Sequence, residues 1–594
     1  MERTSFGLSR NLLNLFTAIL GLVLLVEVAL VVPELPPRTV VDGSRLMIGP
    51  GIVLLLLAFC VYLRTEGLSL LSFGRPALDN RAHVWGLVFL IALGPLLGAG
   101  IFYVLQILPT AVALPTTLVL LALIPLFVLA ATKTHLALLL FLLLLPLLSF
   151  IHSETSYGMG LQSSTLVIPL EKIDPVLFVN GTLSFANPII GYLLTMPVEA
   201  TFVGVLALGW LIKTFANQEG FYRTPLDVPI LVFLLAAFVS SLFSSRWDYS
   251  LVYMVEAILA PIVLYYIAVS AMTTKRRVSY ALAALIPMGA VTALYHFHKI
   301  GQIGSSWAEL LSTSESLVNL FRRSWLFGNA NLEASALVLL LPIVFYFTLG
   351  ERRRSVKLLA GLLLLFLVLE TIFNSSRGAW LAGGGQIAVL FFFGFQSRRS
   401  FLYSALPGLA VATVFFWQYS GIQILAEQRT AFIFGAEDLA VGARWDLWRI
   451  TLGMMDKYWL VGMGLGNFLV EVPTPLGYIW PLPDAHNLLL SVLAEAGLVP
   501  FVALVAILVI TFKEGIAVLK EARGTPTYTI ALVLLVSLGG FFVNAMTTGA
   551  EFGHNRNITT TVLWWAVMGL FMAVRRLVVQ GETPPSRVSG GGTP

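Results

Sequence analysis

Charge is scarce in this chain. Asp, Glu, Lys and Arg make up 11% of its 594 residues, against about 25% in ordinary soluble domains, so a water-facing surface of normal extent cannot be assembled from them. A soluble globular fold is excluded. Cysteine is nearly absent: Cys60 stands alone inside an apolar run, so no intramolecular disulfide can form and a disulfide-stapled scaffold is excluded too. The apolar–polar alternation that lipid-facing barrel strands need is also missing.

What the chain has instead is apolar length. The residue types AVILMFWYC account for 58% of it, mean hydropathy is +0.89, and runs of about 17–25 mostly apolar residues recur from end to end, each able to cross a hydrocarbon core about 30 Å thick. In lipid, only a helix satisfies its backbone hydrogen bonds within one such run. The sequence therefore predicts an all-α, polytopic transmembrane helical bundle of about sixteen spans. They fall at 12–32, 46–63, 84–108, 114–131, 136–151, 196–212, 228–243, 251–272, 280–297, 332–349, 356–373, 379–395, 401–418, 488–512, 528–546 and 558–574. The first run follows Arg3 and Arg10 but offers no clear small-residue cleavage site, so it reads as an uncleaved helix.

Lys and Arg stay on the cytoplasmic side in short loops. Placing the N-terminus inside puts most of the 36 basic residues there, including Lys275-Arg276-Arg277, Arg352-Arg353-Arg354, Arg398-Arg399 and Arg575-Arg576. The expected location is the cytoplasmic (inner) membrane, multi-pass, with both termini cytoplasmic. The net charge of +5 is then a cytoplasmic excess of basic residues and calls for no nucleic-acid partner. Two outer segments exceed connector length, 152–195 and 419–486, and loops of that size are usually functional or flexible. The tail 578–594, with Pro584-Pro585 and Gly590-Gly591-Gly592, reads as disordered.

The assigned outer face collects polar residues that a passive bundle would not need. Asn329, Asn331 and Glu333 open the tenth span, and Asn374-Ser-Ser-Arg377-Gly378 joins the eleventh to the twelfth. The large outer loop carries Gly442-Ala-Arg444-Trp445-Asp446-Leu-Trp448-Arg449, then Gly462-Met-Gly464-Leu-Gly466-Asn467-Phe468, and closes on Asp484-Ala-His486-Asn487. Glu495 follows inside the span assigned to 488–512.

Arg377 lies in a connection of only a few residues, which pins its guanidinium near the interface. Its planar fork of donors matches phosphate oxygens, although a lone interfacial Arg more often snorkels. Around Arg444, Trp445, Trp448, Leu452 and Trp459 recur at helical spacing, predicting an amphipathic helix on the membrane surface whose Trp residues anchor it. The anchor would hold Arg444 at headgroup depth. His486 sits at a loop-to-helix junction where a neutral imidazole can take a proton, with Asp484 as the candidate helix cap. Glu495 is an ionisable group within a span and too far along the helix to touch His486 readily. The three glycines have no βαβ unit around them and suit close backbone approach to a ligand or a helix, not a dinucleotide. His296 and His298, two apart on a helix, point away from each other and make a weak metal site.

Taken in order, the Asn-Ser-Ser-Arg377-Gly378 turn, the Gly-Ala-Arg444-Trp segment, the Gly462-to-Phe468 run and Ala-His486-Asn487-Leu-Leu-Leu with Glu495-Ala-Gly497 resemble the O-antigen ligase/O-antigen polymerase family. The resemblance covers residues 327–510. Two positions depart from the pattern: Lys457-Tyr-Trp459 stands where a proline often precedes the glycine run, and Pro500 where a second glycine commonly follows.

The resemblance implies a glycosyltransferase of lipopolysaccharide or other surface-polysaccharide synthesis. Its donor is a glycan on a polyprenyl (undecaprenyl) diphosphate, its acceptor a glycan, lipid or protein hydroxyl, and it uses no metal, nucleotide or other cofactor. Arg377 and Arg444 would grip the diphosphate, and His486 would act as acceptor base or as a further phosphate contact. Asn329, Asn331, Glu333, Arg449, Gly464, Gly466, Asn487 and Glu495 would shape the substrate cleft. Attack from the opposite face would invert the anomeric centre. The chain then divides into N-terminal spans at 1–326, a catalytic region at 327–512 containing the outer loop 419–486, C-terminal spans at 513–577 and the tail. The competing expectation is a solute transporter resembling bicarbonate carriers, kept open by the intramembrane carboxylates Glu27, Glu199, Glu256, Glu333, Glu370 and Glu495.

Overall fold

A computed structural model describes residues 122–123, 126–158, 198–216, 221–302, 330–350, 353–374, 376–394, 439–472, 484–548 and 558–581. The spans expected at 12–32, 46–63, 84–108 and 401–418 lie outside the described residues, as do Glu27 and Asn329. Every regular element among the described residues is helical: α1 (Thr134–Gly158), α2 (Val198–Ala216), α3 (Asp227–Leu242), α4 (Trp247–Tyr253), α5 (Ala260–Ala271), α6 (Lys275–Gln302), α7 (Ala330–Gly350), α8 (Arg354–Phe373) and α9 (Arg377–Gly394). The remainder are α10 (Leu439–Gly453), α11 (Met455–Tyr458), α12 (Phe468–Glu471), α13 (Leu488–Ala496), α14 (Leu498–Glu521), α15 (Pro526–Thr548) and α16 (Thr559–Val579).

Seven of these stretches are long and apolar enough to cross a membrane: Trp247–Ala271, Lys275–Tyr295, Ala330–Thr348, Arg354–Ile372, Leu498–Glu521, Pro526–Thr548 and Thr559–Val579. Thr134–Ser149 and Asp227–Leu242 are shorter apolar helices. The protein is thus a multi-pass, all-helical membrane protein. Two of the expected spans are reshaped. Between α4 and α5 the helix widens to a π-helical turn over Met254–Leu259, just before Pro261, whose missing N–H cannot continue the ladder. The single span expected over 488–512 is broken at Gly497, so Glu495 belongs to the nine-residue α13 and not to the spanning helix α14.

The chain forms two compact units. In the first, comprising Met1–Ala137, Asp174–Met196 and Val205–Gly220, Gly209 lies so close to Ala130 that a Cβ would approach it to 2.5 Å. The second comprises Leu138–Ile173, Pro197–Gly204 and Phe221–Pro594 and contains every element discussed below. Its centre is α15 and α16. About 78% of the apolar stretch of α16 is buried in the protein but only 22% of that of α8, so α16 is central and α8 has its side chains out to lipid. Phe541 near the end of α15 stacks on Trp564 near the start of α16 at 5.5 Å, which fixes the two as antiparallel. Helices α7, α9 and α14 pack around α15, and α5 around α16. Between apolar helices in lipid, association depends on close packing and on polar cross-links. Gln386 of α9 supplies one, donating from Nε2 to the carbonyls of Val338 on α7 at 2.8 Å and Val536 on α15 at 3.1 Å, in a space left by Gly540.

Candidate active site

The C-terminal end of α15 gathers the starts of three other helices. Asn544 donates from Nδ2 to the Ser335 hydroxyl of α7 at 2.7 Å. Gly378 of α9 lies against the same turn, where a Cβ would sit 1.9 Å from the Thr547 hydroxyl and 2.7 Å from Asn544 Oδ1. His486 and Asn487, leading into α13, donate to the carbonyls of Thr548 and Met546. These are among the last four carbonyls of α15, which have no intrahelical partner.

Arg377 begins α9 immediately after a tight connection from α8. Trp380, one turn into α9, points its indole N–H back at the terminal carbonyls of α8, Thr371 at 3.0 Å and Ile372 at 3.2 Å. That bond sets the angle between α8 and α9 and with it the position of Arg377, which is half-buried. A cation at the first position of a helix opposes the macrodipole, at a cost of about 0.3–1 kcal/mol. The same arrangement, guanidinium plus first-turn N–H groups, favours a bound anion.

The turn at 484–487 serves two helices at once. Asn487 caps α13, its side chain accepting from Leu490 N at 3.1 Å; the cap is therefore Asn487 and not Asp484. Asp484 is buried and accepts the backbone N–H of His486 at 2.6 Å, holding His486 at φ 48°, the one positive φ outside glycine among the described residues. The imidazole Nδ1 lies 2.9 Å from the Thr548 carbonyl and 3.1 Å from Asp484 Oδ1. A carbonyl can only accept, so Nδ1 carries the proton and the neutral ring presents its lone pair at Nε2. A buried carboxylate beside Nδ1 also stabilises the imidazolium that forms when Nε2 takes up a proton.

Helix α10 docks beside this turn. Trp448 Nε1 donates to the Ala485 carbonyl at 2.8 Å, and Leu447 and Thr451 are buried on the same side, so Arg444, half-buried, lies one turn earlier on the inward face. Trp448 is therefore a docking residue and leaves the anchoring stripe that spacing assigned to it; Trp445, Leu452 and Trp459 remain 50% or more exposed. Arg449 is on the other face, 81% exposed and 3.5 Å from Asp446. A small apolar core joins Leu447 to Met463, Phe468, Val472, Ala485 and Ala494, which ties α10 and the glycine run to α13.

The glycine run clasps the end of α13. Gly462, Gly464, Gly466 and Gly497 all have positive φ, and a Cβ at Gly462 or Gly497 would fall within 2.4 Å of a backbone carbonyl oxygen. This closeness lets Met463 N and Gly464 N satisfy the terminal carbonyls Ala494 and Glu495, while Leu498 N reaches Trp459 O, all at 2.9 Å. Glu495 Oε2 accepts Gly466 N at 2.8 Å. Gly464 and Gly466 approach Ser244, Tyr249 and Tyr253, and Asn467 donates to the Ser244 and Ser250 hydroxyls. The two departures from the resembling pattern are accommodated: Trp459 donates its N–H to the Met455 carbonyl at 2.9 Å and gives its own carbonyl to Leu498 N, and Pro500 falls in the first turn of α14, where no N–H is required. Nearby, Glu471 accepts Tyr458 OH at 2.6 Å and Ser245 Oγ at 2.7 Å. Burial pushes its carboxyl up, but these bonds and the Lys457 charge outweigh it and hold it below the usual range.

The structure thus brings Arg377, His486, Asn487 and, through α7, Asn331 and Glu333 to one end of the bundle, with Arg444 on the helix docked there. Glu333 is fully buried and Asn331 half-buried. Sequence reasoning missed Ser335, Trp380, Asn544, Thr547 and Thr548. A signal existed in Asn544-Ala-Met-Thr547-Thr548, a polar cluster closing an otherwise apolar span.

The class this defines is a multi-pass helical membrane protein with basic and imidazole side chains at one end of its bundle. Residues 362–505, from α8 into α14, match a family model described as O-Antigen ligase. No curated protein matches the chain. The matched segment holds Arg377, Arg444 and His486 but excludes α7 and α15.

Proposed function

We propose that this protein is a membrane glycosyltransferase that moves a glycan from a polyprenyl diphosphate to an acceptor hydroxyl at the outer face of the cytoplasmic membrane. The observation that carries the reading is the His486 ring, fixed by Thr548 and Asp484 so that Nε2 is its basic nitrogen, at the end of the bundle where Arg377 begins a helix. The match to O-Antigen ligase over 362–505 supports the reaction class.

In the reaction the acceptor oxygen forms a bond to the anomeric carbon as the bond from that carbon to the diphosphate oxygen breaks. The electron pair leaves with the diphosphate, and the acceptor proton passes to His486 Nε2. A single displacement of this kind inverts the anomeric centre. Diphosphate leaves without protonation, so the carboxylate pair of glycoside hydrolysis is not required. Arg377 and Arg444 supply the charge that the departing diphosphate develops. Asn331, Glu333 and Asn487 border the place where sugar and acceptor would meet. Glu495, Gly464 and Gly466 act by holding the frame.

The test is reconstitution of the protein with a polyprenyl-diphosphate oligosaccharide and an acceptor sugar. Release of polyprenyl diphosphate with an inverted product linkage is expected, and a retained configuration would contradict single displacement.

A further inference from the structure

Away from the candidate site, α9, α14 and α15 enclose a cavity of about 1100 Å³ that nothing in the proposed reaction uses. Its floor runs along α15 from Tyr528 to Val543, about 22 Å at 1.5 Å per residue, somewhat more than the depth of one leaflet, about 15 Å. The walls are apolar, with Val389 and Phe392 on one side and Ile516 and Leu519 on the other. Phe392 and Ile516 are 74% and 54% exposed, so the groove is open to the surrounding lipid.

The end of the groove farthest from His486 is different in chemistry. There α14 turns into α15 through Gly524, whose φ of 80° allows a short reversal, and this sets Lys520 and Arg523 on the rim beside Tyr528. Both cations are exposed, and neither makes an ion pair among the described residues. Of the nearby carboxylates, Glu514 is taken by Arg575, and Glu521, exposed beside Lys520 in sequence, makes no ion pair among the described residues, so the rim keeps a net positive charge. An apolar trough about one leaflet deep, closed at headgroup level by two unneutralised cations, has the pattern of an anionic amphiphile.

We infer that this groove is a binding site for an anionic phospholipid of the leaflet opposite the candidate active site, its acyl chains lying along α15 and its phosphate held by Lys520 and Arg523. The inference does not depend on the glycosyl-transfer reading. Basic residues at a membrane surface each contribute roughly fivefold in affinity for anionic lipid, so the pair predicts a preference of roughly 25-fold.

The experiment uses full-length protein in detergent, equilibrated with equimolar phosphatidylglycerol and phosphatidylethanolamine, with the retained lipid quantified by native mass spectrometry. Phosphatidylglycerol should be retained roughly 25-fold over phosphatidylethanolamine, and Lys520→Gln with Arg523→Gln should bring the ratio near parity. A second variant, Gly539→Leu, narrows the groove from its floor, where a Cβ has Phe512 at 3.5 Å, and should lower retention of both lipids. Equal retention of the two by wild type, or an unchanged preference in the double variant, would overturn the inference. So would displacement of phosphatidylglycerol by added polyprenyl phosphate, which would assign the groove to an isoprenoid chain.

Discussion

Nδ1 of His486 lies 2.9 Å from the carbonyl oxygen of Thr548, a residue at the far end of another helix and outside the segment that matches O-Antigen ligase. The bond caps α15 and fixes the histidine tautomer in one contact. His486→Ala should therefore remove both the base and part of the cap. The expected loss of transfer is about 10²–10⁴-fold. Asp484→Asn is the more discriminating change: it keeps the volume and weakens support for the imidazolium, so kcat should fall while KM for the lipid-linked donor stays near wild type. A rise in KM with kcat unchanged would instead assign His486 to phosphate contact.

Gly378 has no room for a side chain. Gly378→Ala would drive a Cβ into the Thr547 hydroxyl and Asn544, costing about 1–3 kcal/mol and displacing the adjacent Arg377. Thr547→Ala in the same chain removes the nearer obstacle and should restore part of the loss, leaving Asn544 as the remaining contact. A thermal-unfolding double-mutant cycle measures this, and strict additivity of the two changes would contradict the packing.

Arg377→Lys and Arg444→Lys keep the charge and lose the fork. Each should reduce transfer by at least about tenfold if the diphosphate is gripped bidentately. Arg449→Ala is the control: the side chain is exposed on the opposite face of α10, and its loss should leave the rate within about twofold, as a weak surface pair allows. Steady-state rates with a fixed donor decide the matter, and full activity in both Lys variants would sink bidentate gripping.

How much of this was legible in the sequence follows from what each feature depends on. Helices α7, α8, α9, α15 and α16 stand out because a long apolar run between polar or basic punctuation depends on composition alone. Arg377 and His486 stood out because a charge and a titratable ring at helix junctions are conspicuous. The break at Gly497 was hidden, since an apolar run looks continuous until tertiary contact shows that Leu498 N must reach Trp459 O. Asn544 and Thr547 form a visible polar cluster at the end of an apolar run, but their importance lies in which helices meet them, and composition does not show that. Trp448 looked like its exposed neighbours because spacing places residues on a helix face without saying what that face meets.

The clasp of the glycine run makes a stability prediction. Gly462→Ala or Gly497→Ala would need an L residue at positive φ and a Cβ against a backbone carbonyl, and should each cost more than about 1–2 kcal/mol. Glu495→Ala should cost about 1–3 kcal/mol by orphaning Gly466 N, with Glu495→Gln, still an acceptor, closer to wild type. Equal destabilisation by Ala and Gln would mean that the carboxylate charge, not the hydrogen bond, matters.

Acid should loosen the contact between Glu471, Tyr458 and Ser245, and only at low pH. The Glu471 pKa is depressed in the folded protein, so its contribution is full above the ordinary carboxylate value and is lost as pH falls through the depressed one. Hydrogen exchange across 455–472, corrected for intrinsic rate, should stay constant from neutral pH down to about 4.5 and rise below it. Glu471→Gln should remove that dependence. Opening between pH 7 and 5 would contradict the sign.

The most direct measurement is mass spectrometry of polyprenyl-diphosphate glycans in cells lacking the protein, complemented with wild type or with Arg444→Ala. The account predicts that lipid-linked glycan accumulates in the deletion and in the Arg444→Ala strain and is cleared by wild type, with single repeats marking a polymerase and full-length chains a ligase. An identical lipid-linked pool in all three strains would contradict carrier-dependent transfer and favour the competing solute-transporter reading.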